Sequence, residues 1–297
     1  MIKKKIISWI QIIRLNNVLL SLIAVLVGVN IVSRSELIDL PILLLNTLYL
    51  SIPALAVAAG GYVANDYFDL VTDKISKPWR PLIRGDINPA IARRVSIFLY
   101  LFAVAYSIFF IGFLTTIFVI LNVFIVDLYN SRFKREGFLG NIFVALATSN
   151  LFIYGSLSYA ERLGGLDKFT SLAFIPYIFA FLLTLTREVI KGVEDVEGDR
   201  LANIKTLAVA LGYRKSAVVT IILNLIIISI LLIPYLYHAS HLYLIFAIAT
   251  VSLSLYSSYL IYSSRNEEEA IKKAVIGRSL TKISLLTGIL AFLLWTI

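Results

Sequence analysis

The sequence predicts an all-α polytopic membrane protein: nine transmembrane helices in a bundle around a central cavity, with acidic motifs after helices 2 and 6. Three observations carry this. The 297 residues are 59% hydrophobic and only 15% charged, with a mean hydropathy of +0.89, too apolar to furnish a water-facing surface. The apolar residues come in runs of about 20, the length at which a helix crosses a bilayer. The Lys and Arg residues behind the net charge of +9 collect in alternate connections between those runs.

The runs place spans at 8–32, 41–67, 95–112, 114–130, 139–160, 169–191, 214–236, 241–263 and 279–297. If the N-terminus is cytoplasmic, the basic residues belong in the N-terminal tail and after spans 2, 4, 6 and 8. All 27 Lys and Arg except Arg34, Arg162 and Lys168 fall there or in the adjoining ends of the spans. Both acidic motifs then face the cytoplasm. The opposite connections are short: 33–40, a turn near Gly112-Phe113, 161–168 and 237–240. Tyr154, Tyr159 and Tyr235 near the outer ends suit either interfacial anchoring or packing. The start Met1-Ile2-Lys3-Lys4-Lys5 resembles a signal-peptide n-region, but no small-residue cleavage site follows, so the first helix is expected to be retained. No linker is long enough to separate one domain from another, and 1–297 reads as a single transmembrane domain. The positive charge is a matter of topology, and no nucleic-acid partner is expected. The absence of Cys excludes disulfides, thiolate ligands and thiol nucleophiles.

The chemistry concentrates in two stretches. Asn65-Asp66-Tyr67-Phe68-Asp69-Leu70-Val71-Thr72-Asp73 closes span 2. On a continuous helix Asp66, Asp69 and Asp73 fall within about 60° of one another. Like charges on one face repel unless a cation sits among them. The second stretch, Arg187-Glu188-Val189-Ile190-Lys191-Gly192-Val193-Glu194-Asp195-Val196-Glu197-Gly198-Asp199, closes span 6. Asp195 and Asp199 share a helix face; Glu188 and Lys191 join it only if the helix runs on past Gly192 and Gly198. Each cluster ends the second helix of a four-helix unit, which suggests an internal repeat. Two facing carboxylate sites suit two Mg²⁺ ions bridging a diphosphate. Loss of diphosphate from an allylic prenyl chain leaves a carbocation that a dry, apolar chamber shields from water. Solvated loops past helix ends are the bland alternative, but paired boundary carboxylates at matching positions are costly and usually functional.

Other residues carry weaker signals. The small-residue run 54–61 in span 2 gives either close helix packing or room for a chain. Asp127 inside span 4 needs a polar partner. Glu267-Glu268-Glu269 beside Lys272 and Lys273 reads as a solvated face. His238 and His241 lie on the opposite side and carry no assigned chemistry.

Asn65, Asp66, Asp69 and Asp73 match N-D-x-x-D-x-x-x-D, and Asp195 and Asp199 match D-x-x-x-D; together they make the chain resemble the UbiA-type intramembrane prenyltransferases over nearly its whole length. Arg80-Pro81-Leu82, Tyr129, Lys134, Gly140-Asn141 and the Arg14/Asn17 pair resemble further positions of that family. The resemblance implies Mg²⁺ held by Asn65, Asp66, Asp69, Asp73, Asp195 and Asp199. It implies catalytic roles for Asp66, Asp69, Asp195, Lys134 and Tyr129, and substrate contacts by Arg14, Asn17, Arg80, Lys134, Asn141 and Lys191. Arg187-Glu188-Val189-Ile190-Lys191 with the second motif is most similar to the archaeal branch that forms digeranylgeranylglyceryl phosphate. That branch implies geranylgeranyl diphosphate as donor, geranylgeranylglyceryl phosphate as acceptor and membrane lipid as surroundings. Relatives in quinone biosynthesis prenylate an aromatic acceptor such as 4-hydroxybenzoate instead. Two departures stand out: Gly192 replaces a frequent acid, and Ile83-Arg84 replaces the Pro-Ser of R-P-L-P-S-G. A secondary transporter is the rival from another class, but transporters set their ion sites near the bilayer midplane, whereas these acids lie at one boundary.

Overall fold

The computed structural model describes residues 2–34, 38–237 and 240–296. His238 and parts of the expected connections 33–40 and 237–240 lie outside them. Among the described residues all regular structure is helical, and nine helices are long and apolar enough to cross a membrane, as the apolar runs predict. The Cα packing resolves two compact units, Met1–Ser131 with Leu151–Thr170 and Arg132–Asn150 with Ser171–Ile297.

The first unit opens with a departure from the expected span 8–32. Two helices, α1 (Ile2–Ile12) and α2 (Leu15–Ser33), are separated at Arg14, which adopts the left-handed conformation with φ 53° and ψ 57°. No glycine or proline marks the break; the arginine is turned so that its guanidinium reaches the acidic motif described below. α1 buries Ile12 and packs Trp9 against Val63, Leu82, Ile87 and Ala92, leaving Ile6, Ile7 and Ile10 exposed. Such an apolar face suits a bilayer surface.

α3 (Leu40–Phe68) is the hub of this unit and packs against α2, α5 (Pro89–Tyr106) and α6 (Phe113–Ser131); the short α4 (Leu70–Ser76) follows it. Its small-residue run admits neighbours closely: a Cβ on Gly60 would meet the Tyr100 ring at 2.8 Å, and one on Gly61 would meet Val126 Cγ1 at 2.5 Å. Packing therefore accounts for the run at these two positions. Asn88 caps α5, its Oδ1 accepting from the Ala90 amide at 2.8 Å, and Pro89 stands at the first turn where its missing N–H costs nothing. Asp127 has its partner: Arg93 Nη1 and Nη2 donate to its two oxygens at 2.7 and 3.2 Å.

α7 (Phe138–Tyr159) runs through both units. Its C-terminal half crosses α2 where two glycines meet. A Cβ on Gly28 would lie 2.2 Å from the Phe152 carbonyl oxygen, and one on Gly155 would lie 2.3 Å from that of Val25. Ser156 Oγ donates to the Gly28 carbonyl at 2.7 Å across the same crossing. Tyr154 and Tyr159 are buried, the Tyr154 hydroxyl donating to the Leu50 carbonyl at 2.6 Å, so they pack rather than anchor; Tyr235 is exposed.

The second unit contains the start of α7, α8 (Phe174–Glu194), α9 (Val196–Leu201), α10 (Leu207–Leu211), α11 (Tyr213–Leu231), α12 (Ile233–Leu236), α13 (His241–Tyr262) and α14 (Glu267–Thr296). α13 and α14 form a hairpin against α8 and α11. α14 starts well before the expected residue 279. Asn266 Oδ1 accepts from the Glu269 amide at 2.9 Å, and Glu268–Lys272 and Glu269–Lys273 pair at 2.6 and 2.8 Å, so the acidic triplet is a helical first turn. Ile190, Val193, Val196, Ala208, Ala217 and Ile261 form the core beneath the second acidic motif.

Because backbone atoms flank the Gly28–Gly155 crossing, a side chain there forces the helices apart. Gly155→Ala should destabilise the fold by about 1–3 kcal/mol, read as a lower unfolding midpoint in detergent. Gly198→Ala, whose Cβ meets nothing within 4 Å, should show no loss.

Candidate active site

Both acidic motifs are built on the same backbone device. α3 ends at Phe68, Asp69 stands at a joint with φ −86° and ψ 2°, and α4 begins at Leu70. α8 ends at Glu194, Asp195 stands at a joint with φ −89° and ψ 6°, and α9 begins at Val196. In each, the amide of the later aspartate donates across the joint to the carbonyl of the earlier one, Asp73 to Asp69 at 2.8 Å and Asp199 to Asp195 at 2.9 Å. The repeat expected from the sequence is thus visible in local geometry, with Asp69 and Asp73 corresponding to Asp195 and Asp199. The unbroken stripe through Glu188 is not formed. The break falls at Asp195 itself, not at Gly192 or Gly198.

In the first unit the three carboxylates converge on one nitrogen. Arg80 Nη1 lies 2.9 Å from Asp66 Oδ1 and 3.7 Å from Asp69 Oδ2, and donates to Asp73 Oδ2. Asp66 and Asp73 are 4% and 2% exposed, so unpaired anions here would cost several kcal/mol. Arg14 Nη2 adds bonds of 2.9 Å to both Asn65 Oδ1 and Asp66 Oδ1, with its guanidinium 5.0 Å from the Tyr62 ring centroid. Asn65 is fixed from the other side: its Nδ2 donates to Asn130 Oδ1 at 3.1 Å, and Asn130 Nδ2 donates to the Gly61 carbonyl at 3.0 Å. Arg80 and Arg14 thus place positive charge among the repelling carboxylates. Asn130, a buried amide at the end of an apolar helix, is a site residue that sequence reasoning missed, although its polarity in that setting was a usable signal.

The second motif is less enclosed. Glu188 is buried and paired with Arg187 Nη1 at 2.7 Å and Lys191 Nζ at 3.8 Å. Glu194 Oε1 takes Arg278 Nη1 of α14 at 3.0 Å. Asp195 is exposed, whereas Asp199 is half-buried. Burial first, then the neighbouring Asp195 charge, pushes the Asp199 carboxyl up to about 6, against a hydrogen bond from Thr206 and the charge of Lys191.

Of the remaining expected residues, Asn17 begins α2 beside Arg14 and its side chain hydrogen-bonds Tyr62. Tyr129 is half-buried near the end of α6, next to Asn130. Lys134 sits half-buried in a short 3₁₀ turn (Phe133–Arg135), and Asn141 in the first turn of α7. The structure thus gathers Arg14, Asn65, Asp66, Asp69, Asp73 and Arg80 in the first unit.

The profile of the UbiA prenyltransferase family matches residues 21–295. The chain belongs to this family. The digeranylgeranylglyceryl phosphate synthase of Hyperthermus butylicus is 35% identical over 82% of either chain, and that of Saccharolobus solfataricus is 34% identical over 97% of this UbiA-family chain and 96% of its own. A solved structure of a digeranylgeranylglyceryl phosphate synthase superposes with a TM-score of 0.74 at 27% identity, covering 97% of this chain and 98% of that one. A UbiA homologue from Archaeoglobus fulgidus, solved with DMAPP and Mg²⁺, has the same fold at 17% identity and a TM-score of 0.63, covering 96% and 99%.

For a UbiA-family site the donor set is the relevant test. Among the described residues, no group of three or more His, Cys, Asp and Glu side chains is set to hold a metal as it stands. The reason in the first unit is Arg80, whose nitrogen takes the point on which the carboxylates converge. The donors themselves are hard oxygens with no competing sulfur, the chemistry that Mg²⁺ prefers.

The Asp199 shift gives a sign. A carboxyl raised from 3.8 to about 6 contributes stability that is complete below the lower value and lost as pH rises through the upper one. In chelator, Asp199→Asn should therefore be more stable than the parent at pH 8, by about 1 kcal/mol after solvent screening. The difference should vanish near pH 3.5, as read by thermal unfolding.

Proposed function

We propose that this intramembrane prenyltransferase transfers a geranylgeranyl group from geranylgeranyl diphosphate to the free hydroxyl of geranylgeranylglyceryl phosphate, giving digeranylgeranylglyceryl phosphate, and that 1–297 acts as one catalytic domain. The bond from C1 of the donor to its diphosphate oxygen breaks. A bond from C1 to the acceptor oxygen forms, and that oxygen loses its proton. The observation that carries the choice of acceptor is the full-length similarity to relatives bearing that name, 34% identity over 97% of the chain in one case.

In this reading Asp66, Asp69 and Asp73 would exchange Arg80 for Mg²⁺ in one unit, Asp195 and Asp199 would hold Mg²⁺ in the other, and Asn65 fixes the orientation of Asp66 through Arg14. Bound Mg²⁺ neutralises the charge that builds on the leaving diphosphate. Arg80, Lys134 and Lys191 add positive charge to the same group, and Tyr129 faces the developing cation with its ring. Arg14, Asn17 and Asn141 contact polar parts of the substrates. The basic connections support a cytoplasmic N-terminus and cytoplasmic acidic motifs.

Purified protein supplied with Mg²⁺, geranylgeranyl diphosphate and both acceptors in competition should form the ether on geranylgeranylglyceryl phosphate. Alkylation of 4-hydroxybenzoate alone would overturn the acceptor. Asp66→Ala and Asp195→Ala should each lower kcat/KM by at least about 100-fold; full activity in either would overturn the metal assignment.

A further inference from the structure

Beside the first acidic motif lies a cavity of about 330 Å³ whose lining includes Gln11, Arg14, Asp66, Trp79, Arg80 and Arg84. Its size is at the low end of the range of about 300–1,000 Å³ for small-molecule sites, a fit for a headgroup rather than a chain. Three guanidinium groups line it, each already paired with acid, but the three arginines are not equivalent. Arg80 is spread over Asp66, Asp69 and Asp73, and Arg14 is bound to Asn65 and Asp66.

Arg84 is differently held. Its Nε and Nη2 lie 2.9 and 2.7 Å from one oxygen of Asp86, and its Nη2 donates to Gln11 Oε1 at 3.2 Å. The Asp86 side chain is only 5% exposed and its Oδ2 also accepts from Ser8 Oγ at 3.1 Å. Two side chains of α1 and a buried acid thus lock the guanidinium plane at the cavity wall. Among the described residues Nη1 makes no hydrogen bond or ion pair, so it keeps donors to spare. Gln11, with its carbonyl taken by Arg84, keeps its amide hydrogens for a ligand. Trp79, 64% exposed, offers a flat wall.

We propose that Arg84, with Gln11, binds the phosphate monoester of the acceptor and so selects an acceptor with a phosphate headgroup. The hydrogens of Arg84 Nη1 and of the Gln11 amide are oriented donors that suit a phosphate dianion, and they stand apart from the guanidinium groups of Arg14 and Arg80, which are engaged by the acidic motif. The inference rests on the transferase reading above, whose donor and acceptor it uses. It gives a function to Arg84, the cation in the stretch Ile83-Arg84.

Trp79 fluorescence in the purified full chain provides a readout independent of turnover. Glycerol phosphate should quench it saturably, and Trp79→Phe should lose that signal. Arg84→Gln should weaken glycerol phosphate binding by about 10- to 100-fold, the loss of a charged hydrogen-bonding pair, while inorganic diphosphate with Mg²⁺ binds within twofold of the parent. Arg84→Lys, which keeps the pairing with Asp86 but not the fork, should fall between and guards against misfolding as the cause. In turnover, Arg84→Gln should raise KM for geranylgeranylglyceryl phosphate by the same factor and leave KM for geranylgeranyl diphosphate within twofold. Equal losses for both anions, or no Arg84-dependent binding of glycerol phosphate, would overturn the proposal. If only 4-hydroxybenzoate is alkylated yet Arg84-dependent glycerol phosphate binding persists, the acceptor reading fails while the phosphate pocket stands.

Discussion

Three carboxylates meeting a single guanidinium nitrogen is the constraint around which this end of the molecule is arranged. Asp66 and Asp73 are almost wholly buried, and Arg80 is the cation they share. The arginine has to come from beyond α4, so the chain between α4 and α5 must fold back over the motif. Leu82 and Ile87 hold it there by packing against Val63, Ile12 and Ala92. Charge compensation and apolar packing thus fix the same loop, and Arg84 and Trp79 come to the cavity with it.

The repeat is carried by backbone more than by side chains. Both joints have nearly the same dihedrals, and both put the first aspartate of the pair at the break and the second one turn beyond it. Around that shared frame the surroundings differ. The first pair shares Arg80 with Asp66, which Arg14 also holds beside the amide pair of Asn65 and Asn130. The second has an exposed Asp195, a raised Asp199 and an ion pair from α14 to Glu194. A single joint geometry therefore supports two different electrostatic environments.

The spans were legible because a bilayer demands about 20 apolar residues and leaves the charges nowhere else to go. The acidic motifs were legible for the same reason, as carboxylates at the ends of such runs. Where the helices break was not. Arg14 and Asp195 interrupt stretches whose local sequence favours continuation, and the breaks are stabilised by partners far along the chain: Asp66 for Arg14, and the packed core beneath α9 for Asp195. Gln11 with Arg84 and Ser8 with Asp86 are likewise pairs more than 70 residues apart, invisible to any periodicity. Asn130 was readable in principle, since a buried amide in an apolar helix needs a partner, but which partner only the fold could say.

Arg14 links two scales. A non-glycine residue in the left-handed region stores about 1–2 kcal/mol of backbone strain, here offset by its bonds to Asn65 and Asp66. That one residue is also the elbow between α2, long and apolar enough to cross a membrane, and α1, which exposes Ile6, Ile7 and Ile10. The direction in which α1 leaves the spanning helix is therefore set at the same residue whose guanidinium holds Asp66.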